Sequence, residues 1–221
     1  MSSVADAYLA VQQQVAAAAK AAGRNPDDVT LIAVSKTKPL AAIEEAYLAG
    51  ARHFGENYAQ ELQDKATELK ARCPQLQWHF IGRFQKNKIN ALKAFTPVWH
   101  TLASAADVQA VAQRQPGAEV LLQVNIGREP QKGGVLPEAL ADVLGECARI
   151  EGVQLRGLMA IPPVEADAAG SFAAMAQLAQ QHRASFAEPP WLSMGMSHDF
   201  VEAIRLGATH VRVGSLIFGA R

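Results

Sequence analysis

The feature that most constrains the fold of this chain is a regular alternation of short apolar runs with amphipathic helical stripes. The segment DDVTLIAVSK holds a continuous run of branched apolar residues, which is typical of a strand buried on both faces in a parallel sheet. More runs of strand length follow it, and a helical pattern follows nearly every one of them. The predicted strands are Thr30–Ser35, Arg52–Phe54, Leu76–Ile81, Pro97–Thr101, Glu119–Asn125, Val153–Ala160, Trp191–Ser193 and His210–Val213.

This alternation favours a closed (β/α)8 barrel over an open doubly wound sheet. Strand–helix repeats that run through the chain without a linker are the pattern of a barrel. An open sheet usually carries a G-x-G-x-x-G fingerprint after its first strand, whereas here that strand runs into Ser35–Pro39, with the sequence SKTKP. We therefore predict an α/β fold with one TIM-type barrel domain over residues 1–221. An extra helix at its N-terminus is predicted from the spacing of Val4, Tyr8, Val11 and Val15.

The composition argues against several classes of protein. Lys plus Arg and Asp plus Glu number 21 each, so the chain lacks the basic excess that nucleic-acid-binding proteins usually carry. The two cysteines, Cys73 and Cys147, are too few for a disulfide framework. The N-terminus does not read as a signal peptide, and no apolar stretch approaches the ~18 residues of a membrane span. We expect a cytoplasmic protein that binds neither nucleic acid nor membranes.

The histidines do not form a metal-binding pattern. All 6 are scattered along the chain, without an H-E-x-x-H motif or a cysteine–histidine spacing. We therefore expect no metal site. His79, near the end of the third predicted strand, is a candidate for lining a site of another kind.

In a barrel, functional groups gather where strands end and the following loops begin. Lys36 stands at the end of the first predicted strand, after an apolar run that provides low-dielectric surroundings. Desolvation there would favour the neutral amine, which can attack a carbonyl carbon. The alternative is a lysine whose ammonium group simply reaches solvent. Lys38 directly precedes Pro39 and is expected to lie outside the site.

The loops after the seventh and eighth strands predict an anion site. Barrels frequently bind phosphate there, against the N-terminus of a helix. Ser193–Ser197 has the sequence SMGMS and leads into a helix predicted to begin near His198, and Gly214 with Ser215 leads into the last helix. Ser197 and Ser215 would add hydroxyl groups to this site. The alternative for either serine is ordinary helix capping.

Arg212 lies near the end of the eighth strand. Strand alternation turns it away from the side occupied by Val211 and Val213, so we expect it to face the barrel interior. A buried guanidinium needs a partner. Either an acceptor atom of a ligand or a structural salt bridge would provide one.

Several motifs give the chain a resemblance to the pyridoxal phosphate homeostasis protein family. They cover about Thr30 to Arg221 and are LIAVSKTKP around Lys36, HFGENYAQE around Asn57, WHFIGRFQKNK, GLMAIPP, LSMGMSHDF and AIRLGATHVRVGSLIFGAR. The resemblance implies a barrel like the N-terminal domain of alanine racemase, with pyridoxal 5′-phosphate held as an internal aldimine on Lys36. It further implies that Ser197, Gly214 and Ser215 hold the phosphate, Arg212 lies near the pyridine nitrogen, and Asn57 and Met194 line the site.

The function implied by this resemblance is cofactor homeostasis. Family members are associated with balancing the pools of pyridoxal phosphate, amino acids and keto acids, and no catalytic residue is expected. Apo forms of pyridoxal-dependent enzymes are the protein partners to consider, and we expect a monomer. Two details depart from the family pattern: Arg83–Gln85 stands where Pro-Leu-Gln is common, and the sequence stops at Arg221 without the tyrosine-containing tail of many relatives. Ser215 replaces a common threonine and keeps the hydroxyl.

Two alternatives remain open at the level of the sequence. An amino-acid racemase of the same barrel class needs a second proton acceptor, which related enzymes take from a tyrosine on a C-terminal β domain. We expect no such domain here, because the predicted barrel accounts for the whole sequence, and Tyr58, which adjoins the second predicted strand, is the candidate. The other alternative is a partner-binding barrel that uses no cofactor and forms no lysine adduct.

Overall fold

The computed structural model describes residues 3–95, 98–163 and 168–220. Within these ranges, parallel strands pair in chain order and close into a barrel. The predicted (β/α)8 fold is therefore confirmed. Pro97, the predicted first residue of the fourth strand, lies outside the described residues. The strands are β1 (Thr30–Val34), β2 (His53–Glu56), β3 (Gln77–Phe80), β4 (Val98–Leu102), β5 (Ala118–Val124), β6 (Val153–Ala160), β7 (Trp191–Ser193) and β8 (His210–Val213).

Helices connect the strands along the described chain, and one more precedes β1. The α-helices are α1 (Val4–Ala21), α2 (Leu40–Leu48), α3 (Ala59–Leu69), α4 (Ile89–Leu92), α5 (Ala105–Arg114), α6 (Leu140–Cys147), α7 (Ala168–Gln181), α8 (Phe200–Arg205) and α9 (Ser215–Phe218). Short 3-10 helices cover Pro26–Asp28, Lys86–Lys88, Lys93–Phe95, Pro137–Ala139 and Arg183–Ser185. None of the helices described here is long and apolar enough to cross a membrane.

Closure of the barrel between its first and last strands positions the candidate site. β1 pairs with β2 on one side and with β8 on the other, in a register that sets Ile32 opposite Arg212 and Ala33 opposite Val213. Because the two strands run parallel in this register, the residues that follow them leave the barrel side by side. Lys36 and Gly214 therefore lie close together at the C-terminal end of the barrel.

The apolar residues form two separate clusters, which reflects strand alternation. The larger cluster fills the space between strands and helices and includes Leu122, Leu158 and Trp99. The smaller one consists of Val98, Leu121 and Met159. Each of its members adjoins a residue of the larger cluster in sequence, so it lies on the opposite face of the sheet, inside the barrel. Cys73 and Cys147 are buried and unpaired, in keeping with the expected lack of a disulfide framework.

Candidate functional site

A cavity of about 360 Å³ opens at the C-terminal ends of the strands. This volume lies at the small end of the range for pockets that bind small molecules. The residues that line it are Val34, Lys36, Lys38, Asn57, Ile81, Ile161, Met196, Ser197, His198, Arg212, Gly214, Ser215, Gly219 and Ala220.

The cavity brings together most of the residues predicted from the sequence. Lys36 comes from the loop after β1, and Arg212 from the end of β8. Its wall includes Lys36, Lys38 and Arg212 as cationic side chains, and no carboxylate appears among the lining residues of the described chain. A cluster of cationic side chains in a partly enclosed site favours an anionic ligand.

A buried network, not foreseen from the sequence, holds the backbone immediately before Lys36. The Lys65 Nζ atom, on α3, donates to the Ser35 carbonyl oxygen at 2.7 Å and to Glu56 Oε1 at 2.8 Å. The Ser35 hydroxyl donates to the same Glu56 oxygen at 2.7 Å. Burial raises the pKa of the Glu56 carboxyl, and the hydrogen bond and charge of Lys65 oppose that rise. Lys65 therefore offsets the energetic cost of burying the Glu56 carboxylate, and it links the end of β1 to α3.

The same network holds the residue after Lys36. Lys65 Nζ also donates to Glu61 Oε1 at 2.6 Å, and this carboxylate accepts the backbone N–H of Thr37 at 2.5 Å. Thr37 has a φ of 62°, in the left-handed region that non-glycine residues seldom occupy. The glutamate contact offsets the cost of this conformation. The four-residue spacing of Glu61 and Lys65 on a helix was the one available sequence signal.

The loops after β7 and β8 meet at the cavity. The Gly214 N–H points toward the Ser197 hydroxyl oxygen, with 3.4 Å between the atoms, and Ser215 is the first residue of α9. The predicted start of the preceding helix near His198 was early, because α8 begins at Phe200 after Asp199 as its N-cap residue. Neither serine occupies an N-cap position in the structure, so helix capping does not account for them.

Arg212 faces the barrel interior, as strand alternation predicted. It is only 4% exposed, Nη1 donates to the Ser193 hydroxyl at 2.7 Å, and Nη2 donates to the Ala160 carbonyl at 3.0 Å. Burial lowers the pKa of Arg212 to about 10, with a smaller opposing effect of Asp199, and the group stays protonated at neutral pH. No ion pair between the described residues includes Arg212, so the salt-bridge alternative was wrong.

Asn57 follows β2 and presents an unsatisfied polar atom. Its side-chain oxygen is buried and has no hydrogen-bond partner among the described residues. Buried polar atoms are nearly always paired in folded proteins, so an orphan that belongs to a cavity-lining residue indicates a ligand contact. Gly82 makes the position of Asn57 attainable, because a Cβ atom at residue 82 would lie 1.8 Å from the Asn57 carbonyl oxygen.

Four other residues differ from their predicted placement. Met194 is fully buried and is not among the lining residues, whereas Met196 is. Lys38 was expected outside, yet it lines the cavity, and its Nζ donates to the Gly219 and Ala220 carbonyl oxygens at 3.1 Å each. His79 lies in the barrel interior and does not line the cavity. Tyr58 is 55% exposed and lines a neighbouring groove that shares Lys38 with the cavity, and it is not among the residues that line the cavity itself.

Comparison with known proteins identifies the family. Residues 8–221 match the family described as the N-terminal domain of alanine racemase. Over its full length the chain is 42% identical to the pyridoxal phosphate homeostasis protein of Pseudomonas aeruginosa and 39% identical to that of Escherichia coli K12, covering 97% and 98% of those proteins. The chain belongs to the pyridoxal phosphate homeostasis protein family. The family resemblance read from the motifs is confirmed.

Solved structures extend this result beyond the sequence relatives. PipY of Synechococcus elongatus, solved with PLP bound, is 37% identical to this chain. The two structures give a TM-score of 0.77, over 93% of this chain and 100% of PipY. Alanine racemase from Corynebacterium glutamicum gives a TM-score of 0.73 at 16% identity, over 96% of this chain and 61% of the racemase. At that identity the likeness to the racemase shows the shared barrel fold alone.

Proposed function

We propose that this chain binds pyridoxal 5′-phosphate in the cavity at the C-terminal end of the barrel and takes part in keeping the intracellular pool of that cofactor in balance. The names of its relatives and the PLP-bound structure of PipY support this function. The observation that carries it is the meeting of Lys36, Arg212 and the two serine loops in one cavity, whose described lining residues include no carboxylate.

The chemistry of the lining residues fits the cofactor. We propose that the Lys36 amine forms a Schiff base with its aldehyde carbon. Ser197, Ser215 and the backbone N–H of Gly214 are suited to bind the phosphate, because hydroxyl and amide donors favour an anion. The orphaned oxygen of Asn57 would gain a partner from the ligand. Met194 is fully buried, so we propose that it supports the wall of the site from behind.

Arg212 is proposed to lie at the ring nitrogen of the cofactor, where it favours holding over turnover. A guanidinium group can only donate hydrogen bonds, so the ring nitrogen would accept one from it and stay unprotonated. When bound, the cofactor supplies a reactive aldehyde and an electron-accepting ring, and the ring accepts electrons less well in this state. The arrangement suits a protein that stores or delivers the cofactor.

We propose that the protein acts in the cytoplasm, as a monomer and as one domain over residues 1–221. Apo forms of pyridoxal-dependent enzymes are proposed as recipients. Met196 and His198 line the cavity and are exposed. This exposure supports the proposal that cofactor passes from the cavity to a partner without major unfolding. A transfer assay from the loaded protein to an apo enzyme, with free cofactor scavenged, tests this delivery.

The central experiment locates the covalent bond. After addition of pyridoxal phosphate we expect an absorbance band that borohydride reduction makes permanent, and mass spectrometry should find the label on Lys36. Lys36→Ala should abolish the label. Lys38→Ala is the matched control, because Lys38 also lines the cavity, and it should keep the label on Lys36. A label that persists in Lys36→Ala, or that lies on Lys38, would contradict the assignment.

A further inference from the structure

A continuous row of hydrogen-bonded side chains crosses the barrel interior below the cavity. Starting at Arg212, it passes through Ser193 to His100 Nδ1, with 3.0 Å between the serine oxygen and the ring nitrogen. His100 Nε2 lies 2.9 Å from His79 Nδ1, and His79 Nε2 lies 2.9 Å from His53 Nδ1. One ring nitrogen of each histidine therefore faces the cavity side and the other faces the opposite end.

The row connects the two ends of the barrel. Arg212 lines the cavity at the C-terminal ends of the strands. His53, the first residue of β2, lines a cleft at the N-terminal ends, together with Tyr8, Thr30 and Arg52. The members between these ends are sealed from solvent: Ser193 and His100 are fully buried, and His79 is 1% exposed.

The imidazole rings in this row are neutral. Burial lowers the pKa of His79 and of His100 well below the ordinary value, and neighbouring histidines add to the effect on both. Arg212 also lowers the pKa of His100, and burial lowers that of His53. A neutral imidazole has one donor and one acceptor nitrogen, so a row of three can order its protons in either of two directions. The rings do not form a metal site either, because no set of three ligating side chains meets in the described ranges.

Arg212 determines which direction is favoured. Its guanidinium can only donate, so the Ser193 oxygen must accept from it. The single serine proton then has one remaining neighbour in the row, His100 Nδ1, which accepts it. His100 consequently carries its proton on Nε2 and donates to His79. In the reverse direction Ser193 would accept twice, and its own proton would need a further acceptor.

We infer that Ser193, His100, His79 and His53 form a hydrogen-bonded chain whose direction is set by Arg212, and that Ser193 and His100 are positioning residues for its guanidinium group. All three imidazoles carry the proton on Nε2, and every hydrogen bond is donated away from the cavity. The chain holds the Ser193 oxygen ready as an acceptor for Arg212. This orientation belongs to the protein itself and needs no ligand.

A row of imidazoles also resembles a proton relay, yet the cavity end of this one is closed to protons. Proton transfer along the row requires each member to accept a proton on one side and release one on the other. The protonated guanidinium of Arg212 has no acceptor atom. The row therefore fixes orientation and does not conduct protons into the cavity.

The consequence for ligand binding rests on the proposed function. Arg212 is held by two neutral acceptors, the Ser193 hydroxyl and the Ala160 carbonyl, and by no carboxylate among the described residues. Its charge is therefore oriented but not neutralised. A ring nitrogen of the cofactor would meet a full positive charge in a fixed position.

The direction of the chain can be measured in protein prepared without cofactor. Long-range ¹H–¹⁵N spectra of the histidine rings should show His53, His79 and His100 as neutral Nε2–H tautomers. Ser193→Ala removes the link to Arg212, so the uniform pattern should give way to mixed or reversed tautomers. An Nδ1–H form of His100 in the parent protein, or an unchanged pattern in Ser193→Ala, would overturn the inference.

His210→Phe provides the matched control. His210 is 4% exposed and packs within 6.2 Å of His79 and 6.3 Å of His100 between ring centroids, yet its Nδ1 pairs with the Thr209 hydroxyl at 2.9 Å, outside the row. Its replacement removes a buried imidazole without breaking the row, and the Nε2–H pattern should persist. Loss of the pattern in this variant would show that general packing, not Arg212, orders the tautomers.

A second measurement addresses ligand binding. Ser193→Ala should raise the dissociation constant for pyridoxal phosphate about ten-fold, since it removes a hydrogen bond to a charged group. His210→Phe should stay within about two-fold of the parent, or about 0.4 kcal/mol, because His210 lies outside the row. Equal affinity of the parent and Ser193→Ala would refute the positioning role. Failure of the parent itself to bind would refute the proposed function and leave the tautomer result standing.

Discussion

At the scale of single residues, the site shows a conflict between stability and binding at Asn57. Its side-chain oxygen is buried without a partner, and such an atom costs on the order of 1–3 kcal/mol of folding free energy. Gly82 allows Asn57 to lie here by leaving space beside the Asn57 backbone. An unsatisfied group that costs stability is typical of a position kept for a ligand.

The variant Asn57→Ala separates the two effects. In protein without cofactor, the free energy of unfolding should stay the same or rise by about 1 kcal/mol, because the orphaned oxygen is gone. The affinity for pyridoxal phosphate should fall about ten-fold, as expected for one lost hydrogen bond of about 1.4 kcal/mol. Urea unfolding and a spectrophotometric titration measure the two quantities. A loss of stability without a change in affinity would make Asn57 a structural residue.

At the scale of elements, α3 acts as the support for the loop that carries Lys36. Its Lys65 reaches the Ser35 carbonyl before Lys36, and its Glu61 reaches the Thr37 N–H after it. Both contacts start from one face of one helix, four residues apart. The backbone that carries Lys36 is therefore positioned by a helix packed outside the barrel as well as by β1.

Lys65→Met should lower the free energy of unfolding, because it removes the contacts that Lys65 makes with Ser35 and Glu56. It leaves the Glu56 carboxylate buried with a neutral partner, Ser35, and breaking such a pair typically costs about 3–5 kcal/mol. Adding Glu56→Leu to Lys65→Met should recover most of the loss, because an apolar pair of similar size does not leave a buried charge. Urea unfolding of the single and double variants checks both outcomes. A loss below about 1 kcal/mol in the single variant would mean that the pair contributes no more than an exposed ion pair does.

A further element-scale prediction concerns reactivity. Glu61→Gln keeps the size of the side chain but weakens the acceptor of the Thr37 N–H. We expect a slower rate of reductive labelling at Lys36, by about ten-fold if one charged hydrogen bond of roughly 1.5 kcal/mol is lost. Glu68→Gln, two turns further along α3, is the control, and it should label at the parent rate because no hydrogen bond joins its carboxylate to the Lys36 loop in the described residues. Equal rates in all three proteins would count against support by α3.

At the scale of the whole molecule, the barrel explains which features the sequence could predict. Lys36, Ser197, Gly214 and Arg212 follow directly from strand ends, since parallel strands in a barrel bring their C-terminal ends to one face. The row of His53, His79 and His100 could not be predicted in this way. These residues come from β2, β3 and β4, and their contact depends on the stagger between strands, which fixes the inward-facing residues that meet. Periodicity within one segment carries no such information.

The buried histidines also give the molecule a characteristic response to acid. Burial lowers the folded-state pKa of His53, His79, His100 and His210, the last to about 3. Below the unfolded value of about 6.5, the unfolded chain therefore binds protons that the folded barrel excludes. The free energy of unfolding then falls as the pH falls, by up to about 1.4 kcal/mol per pH unit for each excluded proton.

His210→Phe should reduce by one the number of protons that the chain takes up when it unfolds in acid. Between pH 6 and pH 5, which lies below the unfolded pKa of about 6.5 and above the folded pKa of about 3 for His210, the parent protein should lose stability steeply. The variant should show a slope that is shallower by about 1 kcal/mol per pH unit, because residue 210 no longer takes up a proton on unfolding. The comparison of slopes is independent of any constant stability lost through repacking. If both proteins give the same slope, His210 is protonated in the folded state, and the barrel does not exclude protons from it.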